Sequence, residues 1–132
     1  MRTSLAALQT KIYSTLASHT PLMQRVKGVY DQVPENVQVP YVAIGNPTLT
    51  DWGTKEFDGE EITFTLHVWS SYNGKQEVYE IFKLILEVFG EPIELGDGFD
   101  LDFQRREYMD VVEDNLTGQK HGVIRLRFKI SH

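Results

Sequence analysis

Apolar residues recur along this chain with two periods, and the switches between them mark out its elements. Leu5, Leu8, Ile12 and Leu16 are spaced by three and four, with Gln9, Lys11 and Ser14 between them, which predicts an amphipathic helix over residues 5–17. Thr3 or Ser4 can cap its start, and His19-Thr20-Pro21 ends it. Thr20 before Pro21 then suits the cap and first position of a short second helix to about Arg25. Val29-Tyr30-Asp31-Gln32-Val33 reads as a strand stopped by Pro34. Tyr41-Val42-Ala43-Ile44 reads as a strand that begins directly after Pro40, where a residue without an N–H fits a first or edge position. Asn46 to Gly59 has neither period and is rich in Thr, Asp and Gly, so a loop of about a dozen residues is expected there. It carries Trp52 and Phe57.

From Glu61 to Ser70 the alternation is strict: Ile62, Phe64, Leu66 and Val68 against Thr63, Thr65, His67 and Trp69, a half-buried strand. Asn73, with Gln76 three residues on, offers a capping-box-like start to the next helix. That helix is expected from Gly74 to Phe89, with Val78, Ile81, Phe82, Ile85 and Phe89 as its buried stripe and Gly90 and Pro92 as its stop. Asp97-Gly98 opens a final hairpin. Phe99, Leu101 and Phe103 alternate with Asp100 and Asp102 in a strand running to about Val112, and Asp114 to Gln119 form the turn. The last strand sets Ile124, Leu126, Phe128 and Ile130 on one face and Arg125, Arg127 and Lys129 on the other. The expected fold is α+β: a five-stranded, mainly antiparallel sheet with two main helices on one face, in the order α-β-β-β-α-β-β. No repeat or linker interrupts it, so residues 1–132 are read as one domain.

Composition narrows the chemistry. The 132 residues are 41% hydrophobic and 24% charged, ordinary globular values, and include no cysteine. A disulfide scaffold, thiolate metal sites and a cysteine nucleophile are thereby excluded. No apolar run reaches the roughly 18 residues of a membrane span, and the N-terminus lacks a continuous signal-peptide core, so a soluble chain starting in the cytoplasm is expected. The net charge of −6 is unevenly spread: residues 1–28 carry +4, residues 29–115 carry −14, and residues 116–132 carry +4. Such asymmetry can set up opposed faces.

Catalytic and metal-binding patterns are weak. His19, His67, His121 and His132 show no i, i+4 metal spacing. Asp100 and Asp102, two apart on a strand, stand about 7 Å apart; ion pairing with Arg106, Arg125 and Arg127 accounts for them better than glycosidic acid–base work. Gly96-Asp97-Gly98 lacks the strand and helix that flank a phosphate loop, no nucleophile elbow occurs, and no cofactor motif is present. Asn115-Leu116-Thr117 matches a glycosylation acceptor by accident. The basic stripe of Arg125, Arg127 and Lys129 is too short, against a net −6, to argue for nucleic-acid binding. Trp52 and Phe57 either anchor an interface or fold back over the sheet edge.

More specific than any of these are Val29-Tyr30-Asp31-Gln32-Val33-Pro34 and Pro40-Tyr41-Val42-Ala43-Ile44-Gly45. With the helix before them, the strand ending His67-Val68-Trp69-Ser70, and Gly74-Lys75-Gln76-Glu77-Val78 opening the next helix, the chain resembles the tail-completion, or tail-to-head joining, proteins of long-tailed bacteriophages. The match in order and length covers nearly the whole chain and is close to a member from a Bacillus siphophage; the C-terminal hairpin matches only in pattern. The resemblance implies a non-enzymatic α+β protein that forms a hexameric ring at the head-proximal end of the tail tube. Its implied partners are further copies of itself, the tail tube protein and the head connector or stopper, with DNA passing through the ring without sequence-specific binding and no membrane involved. It transfers no catalytic, cofactor or metal residues.

A ring requires a heterologous contact between two different patches. On the residues alone, Arg125, Arg127 and Lys129, or the basic first helix, are expected to face the acidic region of a neighbouring subunit. Trp52 is expected to anchor a 46–59 loop that orders on docking. In a six-membered ring the charge would total −36, keeping free subunits apart until short-range contacts act, and acidic strands at the centre would keep DNA from adhering. The competing class is a small ligand-binding or regulatory α+β module with a concave apolar pocket. An enzyme ranks third.

Overall fold

In the computed structural model, which describes all 132 residues, the chain runs α1 (Leu5–Ala17), α2 (Thr20–Arg25), β1 (Val29–Tyr30), β2 (Tyr41–Ile44), β3 (Thr48–Asp51), β4 (Gly59–Ser70), α3 (Gln76–Val88), β5 (Asp100–Glu113) and β6 (Lys120–Ser131). β4 and β6 form the centre of one sheet, antiparallel from Gly59 opposite Ser131 to Ser70 opposite Lys120. β5 lies outside β6 as an edge. On the other side of β4, β2 pairs with its C-terminal half and β3 with its N-terminal half, both antiparallel. β1 adds to β2 as the only parallel pair.

The strict alternation of β4 and β6 explains where the core sits. Ile62, Phe64, Leu66 and Val68 lie beside Ile124, Leu126, Phe128 and Ile130 on one face of the sheet. Leu8, Ile12 and Leu16 of α1 and Val78, Ile81, Phe82 and Ile85 of α3 complete the same cluster. Burying side chains of this size contributes about 1.5–3 kcal/mol each. Gly122 allows the helix to come close: a Cβ there would stand 2.6 Å from Val78 Cγ1 and 2.7 Å from Phe82 Cζ.

The α+β class and the helix and strand positions agree with the pattern reading, but the strand count is six rather than five. The expected 46–59 loop contains β3 and a hairpin turn into β4. Each of Thr48, Leu49, Thr50 and Asp51 is exposed, so no face of β3 is apolar enough to alternate; backbone pairing to Glu60–Thr63 holds it instead. β2 and β3 are one strand interrupted at Gly45-Asn46-Pro47, with the Gly45 amide still donating to Thr65 O at 2.7 Å. The strand expected over Val29–Val33 is confined to Val29–Tyr30.

Three local expectations also change. Asn73 does not cap α3: Lys75 occupies that position without a side-chain cap, while the Ser70 hydroxyl donates to Glu77 at 2.6 Å. Ser4 sits at the cap of α1, but its hydroxyl bonds across the molecule rather than to its own helix. Register shifts at Asp102 and Glu107 bulge β5, so Leu101 stays on the core side opposite Ile130 whereas Phe103 moves to the far face opposite Lys129. Asp100 and Asp102 therefore do not form a regular i, i+2 pair.

Candidate functional site

The helices cover one face of the sheet; the other presents alternate residues of β4, β6 and β5. By register it carries Glu61, Thr63, Thr65, His67 and Trp69 beside Lys129, Arg127, Arg125, Val123 and His121. β5 continues it with Phe103, Arg105, Tyr108 and Asp110.

At the N-terminal end of β4, Trp52 and Phe57 close the turn that follows β3. Their rings meet edge to face at 5.5 Å, and the Trp52 amide donates to Gly59 O at 2.8 Å. A Cβ on Gly59 would come within 2.9 Å of the indole, so this glycine is the floor on which both rings rest. Lys129 Nζ lies 5.4 Å from the Trp52 ring and 5.2 Å from Phe103, a distance at which a cation is attracted to an aromatic face. Along the same strand, Arg127 pairs with Glu61 at 3.2 Å and with Glu107. Arg125 stands 5.4 Å over the Tyr108 ring. The fold thus gathers Trp52, Phe57, Arg125, Arg127 and Lys129 onto one surface. The acids that reach Arg127 are Glu61 and Glu107 rather than Asp100 or Asp102, because the bulge at Glu107 swings that carboxylate toward it.

Further along this face His67 Nδ1 and His121 Nε2 are 2.7 Å apart, and the His121 ring stacks on Trp69 at 4.0 Å between centroids, 6° from parallel. Burial lowers the pKa of both imidazoles, and the charge of His67 lowers that of His121 further. No group of three or more His, Cys, Asp or Glu side chains is arranged to hold a metal. No helix is long and apolar enough to cross a membrane.

Contacts between residues far apart in sequence supply what pattern reading missed. Glu60, on the core side of β4, is buried and accepts hydrogen bonds from the Ser4 amide at 2.7 Å, the Ser4 hydroxyl at 2.9 Å and the Thr3 hydroxyl at 2.6 Å. His132 Nε2 approaches the same carboxylate at 3.3 Å. Burial alone would raise the Glu60 carboxyl; these donors and the His132 charge outweigh it and hold it below its ordinary value. Gln104 of β5 likewise accepts from the Ile93 amide and donates to Phe89 O and Glu91 O, fastening the segment that leaves α3. An open groove of about 530 Å³ lies between α3 and β5, lined by Tyr79, Phe82, Lys83, Leu86, Glu87 and Met109.

Comparison with known proteins gives this arrangement its context. The family model described as "Tail completion protein gp17" matches residues 10–131. The tail completion protein gp17 of Bacillus phage SPP1 is 32% identical over 126 residues, covering 96% of this chain and 93% of that one. The solved structure of SPP1 gp17 superposes with a TM-score of 0.68 at 30% identity, covering 94% of this chain and 90% of that one. A chain from the virion of a native gene transfer agent particle superposes with a TM-score of 0.89 over 100% of both chains, and at 19% identity it shows the shared fold. With the family model spanning almost the whole chain and a relative of this identity along nearly all of its length, the chain belongs to the phage tail completion proteins of the gp17 family, non-enzymatic structural components of the virion tail.

Proposed function

We propose that this protein caps the head-proximal end of the tail tube and joins it to the head connector, as a hexameric ring through whose centre DNA passes. Membership of the tail completion family carries this reading. The chemistry of the sheet is compatible with it. The face without helices carries Arg105, Arg125, Arg127 and Lys129 against Glu61, Glu107 and Asp110, with Arg127 already held by its own acids. Such a surface has little net attraction for phosphate, as a passage that must not retain DNA requires. Trp52, Phe57 and Arg125 are the residues of this face proposed to touch the tail tube protein or the connector, large rings and an arginine being the usual anchors of interfaces.

The test is complementation in vitro. Tails assembled without this chain are mixed with purified protein and then with DNA-filled heads, and joined particles are counted by electron microscopy. Joining restored by the wild-type chain and reduced by Trp52→Ala supports the proposal. Tails that join heads equally well without the protein refute it.

A further inference from the structure

Three strands of the sheet have an open edge, β1, β3 and β5, and β1 offers only two residues. β5 is paired only with β6 along its 14 residues. β3 is paired only with β4, since β1 extends the sheet beyond β2 alone. Open edges are templates for another strand. β3 and β5 each carry an apolar residue on the helix side, Leu49 exposed and Met109 partly buried against the core. Leu49 lies opposite core-facing Ile62 and is 42% exposed. Met109 lies opposite core-facing Ile124 and lines the groove of about 530 Å³ with Tyr79, Phe82 and Leu86 of α3.

We propose that β3 of one copy pairs antiparallel with β5 of the next, with Leu49 seated in the groove between α3 and β5. The proposal rests on the ring reading above and names its subunit contact. Strand direction favours it. β3, β4, β6 and β5 are successively antiparallel, so β3 and β5 run in opposite senses. A second copy set alongside in the same orientation therefore meets β5 with an antiparallel β3. Repetition of one orientation is the heterologous contact that closes rings.

Charge fixes the register. With Leu49 opposite Met109, Thr50 falls opposite Tyr108. Because Glu107 is the extra residue of a bulge, Asp51 falls beside Arg106. Both lie on the helix side, Asp51 opposite Glu60 and Arg106 opposite Leu126, so the new pair joins opposite charges across strands. Arg106 Nη1 already lies 3.8 Å from Met109 Sδ, at the mouth of the groove.

The absence of native cysteine makes a cross-link test clean. The double variant Leu49→Cys/Met109→Cys is assembled on tails, oxidised, and run on a non-reducing gel while rings are counted by electron microscopy. Rings with a ladder of multimers, and no ladder from either single variant, are expected. Rings without a ladder overturn the edge pairing while leaving the ring itself intact. Dimers from Met109→Cys alone overturn it in favour of two-fold pairing of β5. Absence of rings with the wild-type chain overturns the ring reading and the pairing together. Asp51→Arg is expected to reduce ring formation about tenfold, and Asp51→Arg/Arg106→Asp to restore it; a double variant as defective as the single one counts against the register.

Discussion

Glu60 shows how one buried side chain can hold parts of the chain that sequence spacing cannot connect. Its carboxylate receives the backbone and hydroxyl of Ser4 and the hydroxyl of Thr3, so it supplies at the start of α1 the negative charge that a local cap would otherwise provide. Because its folded pKa lies below the ordinary 4.5, the stabilisation is complete above that value and disappears as pH falls through the folded one. Glu60→Gln keeps an acceptor but not the charge. It is expected to lose about 1.5–3 kcal/mol at neutral pH and to show a shallower loss of stability below pH 4.5 than the wild type, read from denaturant melts at stepped pH. Such a partner 56 residues away leaves no mark in local sequence. The clustering of Trp52 with Phe57 was half legible: two rings in a polar turn stood out, but the glycine floor and Lys129 beside them belong to other strands.

At the scale of elements, legibility followed burial. β4 and β6 are central strands with one dry face, and their alternation fixed both position and orientation. β3 and β5 are edges. With no helix requiring an apolar stripe, β3 carries no alternation, and the two bulges in β5 break the period of Phe99, Leu101 and Phe103. The resemblance carried by Val29–Pro34 and Pro40–Gly45 falls on β1, β2 and the segments beside them, the parallel corner of the sheet. Packing of α3 depends on a position that hydropathy overlooks. At Gly122→Ala the new methyl would meet Val78 and Phe82 well inside van der Waals distance, so α3 must shift. The expected cost is about 1–3 kcal/mol, measured by thermal unfolding. An unchanged melting temperature would contradict the close approach.

The whole molecule redistributes the charge that the sequence segregates. The basic C-terminal segment becomes β6 between β4 and β5, where Arg127 lies between Glu61 and Glu107. The basic N-terminal segment places Arg25 beside Glu77 and Glu80 of α3. The expected opposed faces are therefore interleaved, because segments distant in sequence are adjacent in the sheet and helix layer. Attraction between a basic and an acidic patch is then a weaker candidate for the subunit contact than the open edges of β3 and β5. The excess negative charge remains and still opposes association of free subunits at long range. The proposed place of the protein in the particle is open to a reconstruction of the head–tail junction from virions. Six copies of this fold are expected in a closed ring between the last tail tube ring and the connector; density for the chain elsewhere in the particle, or none at the junction, would contradict the proposed function.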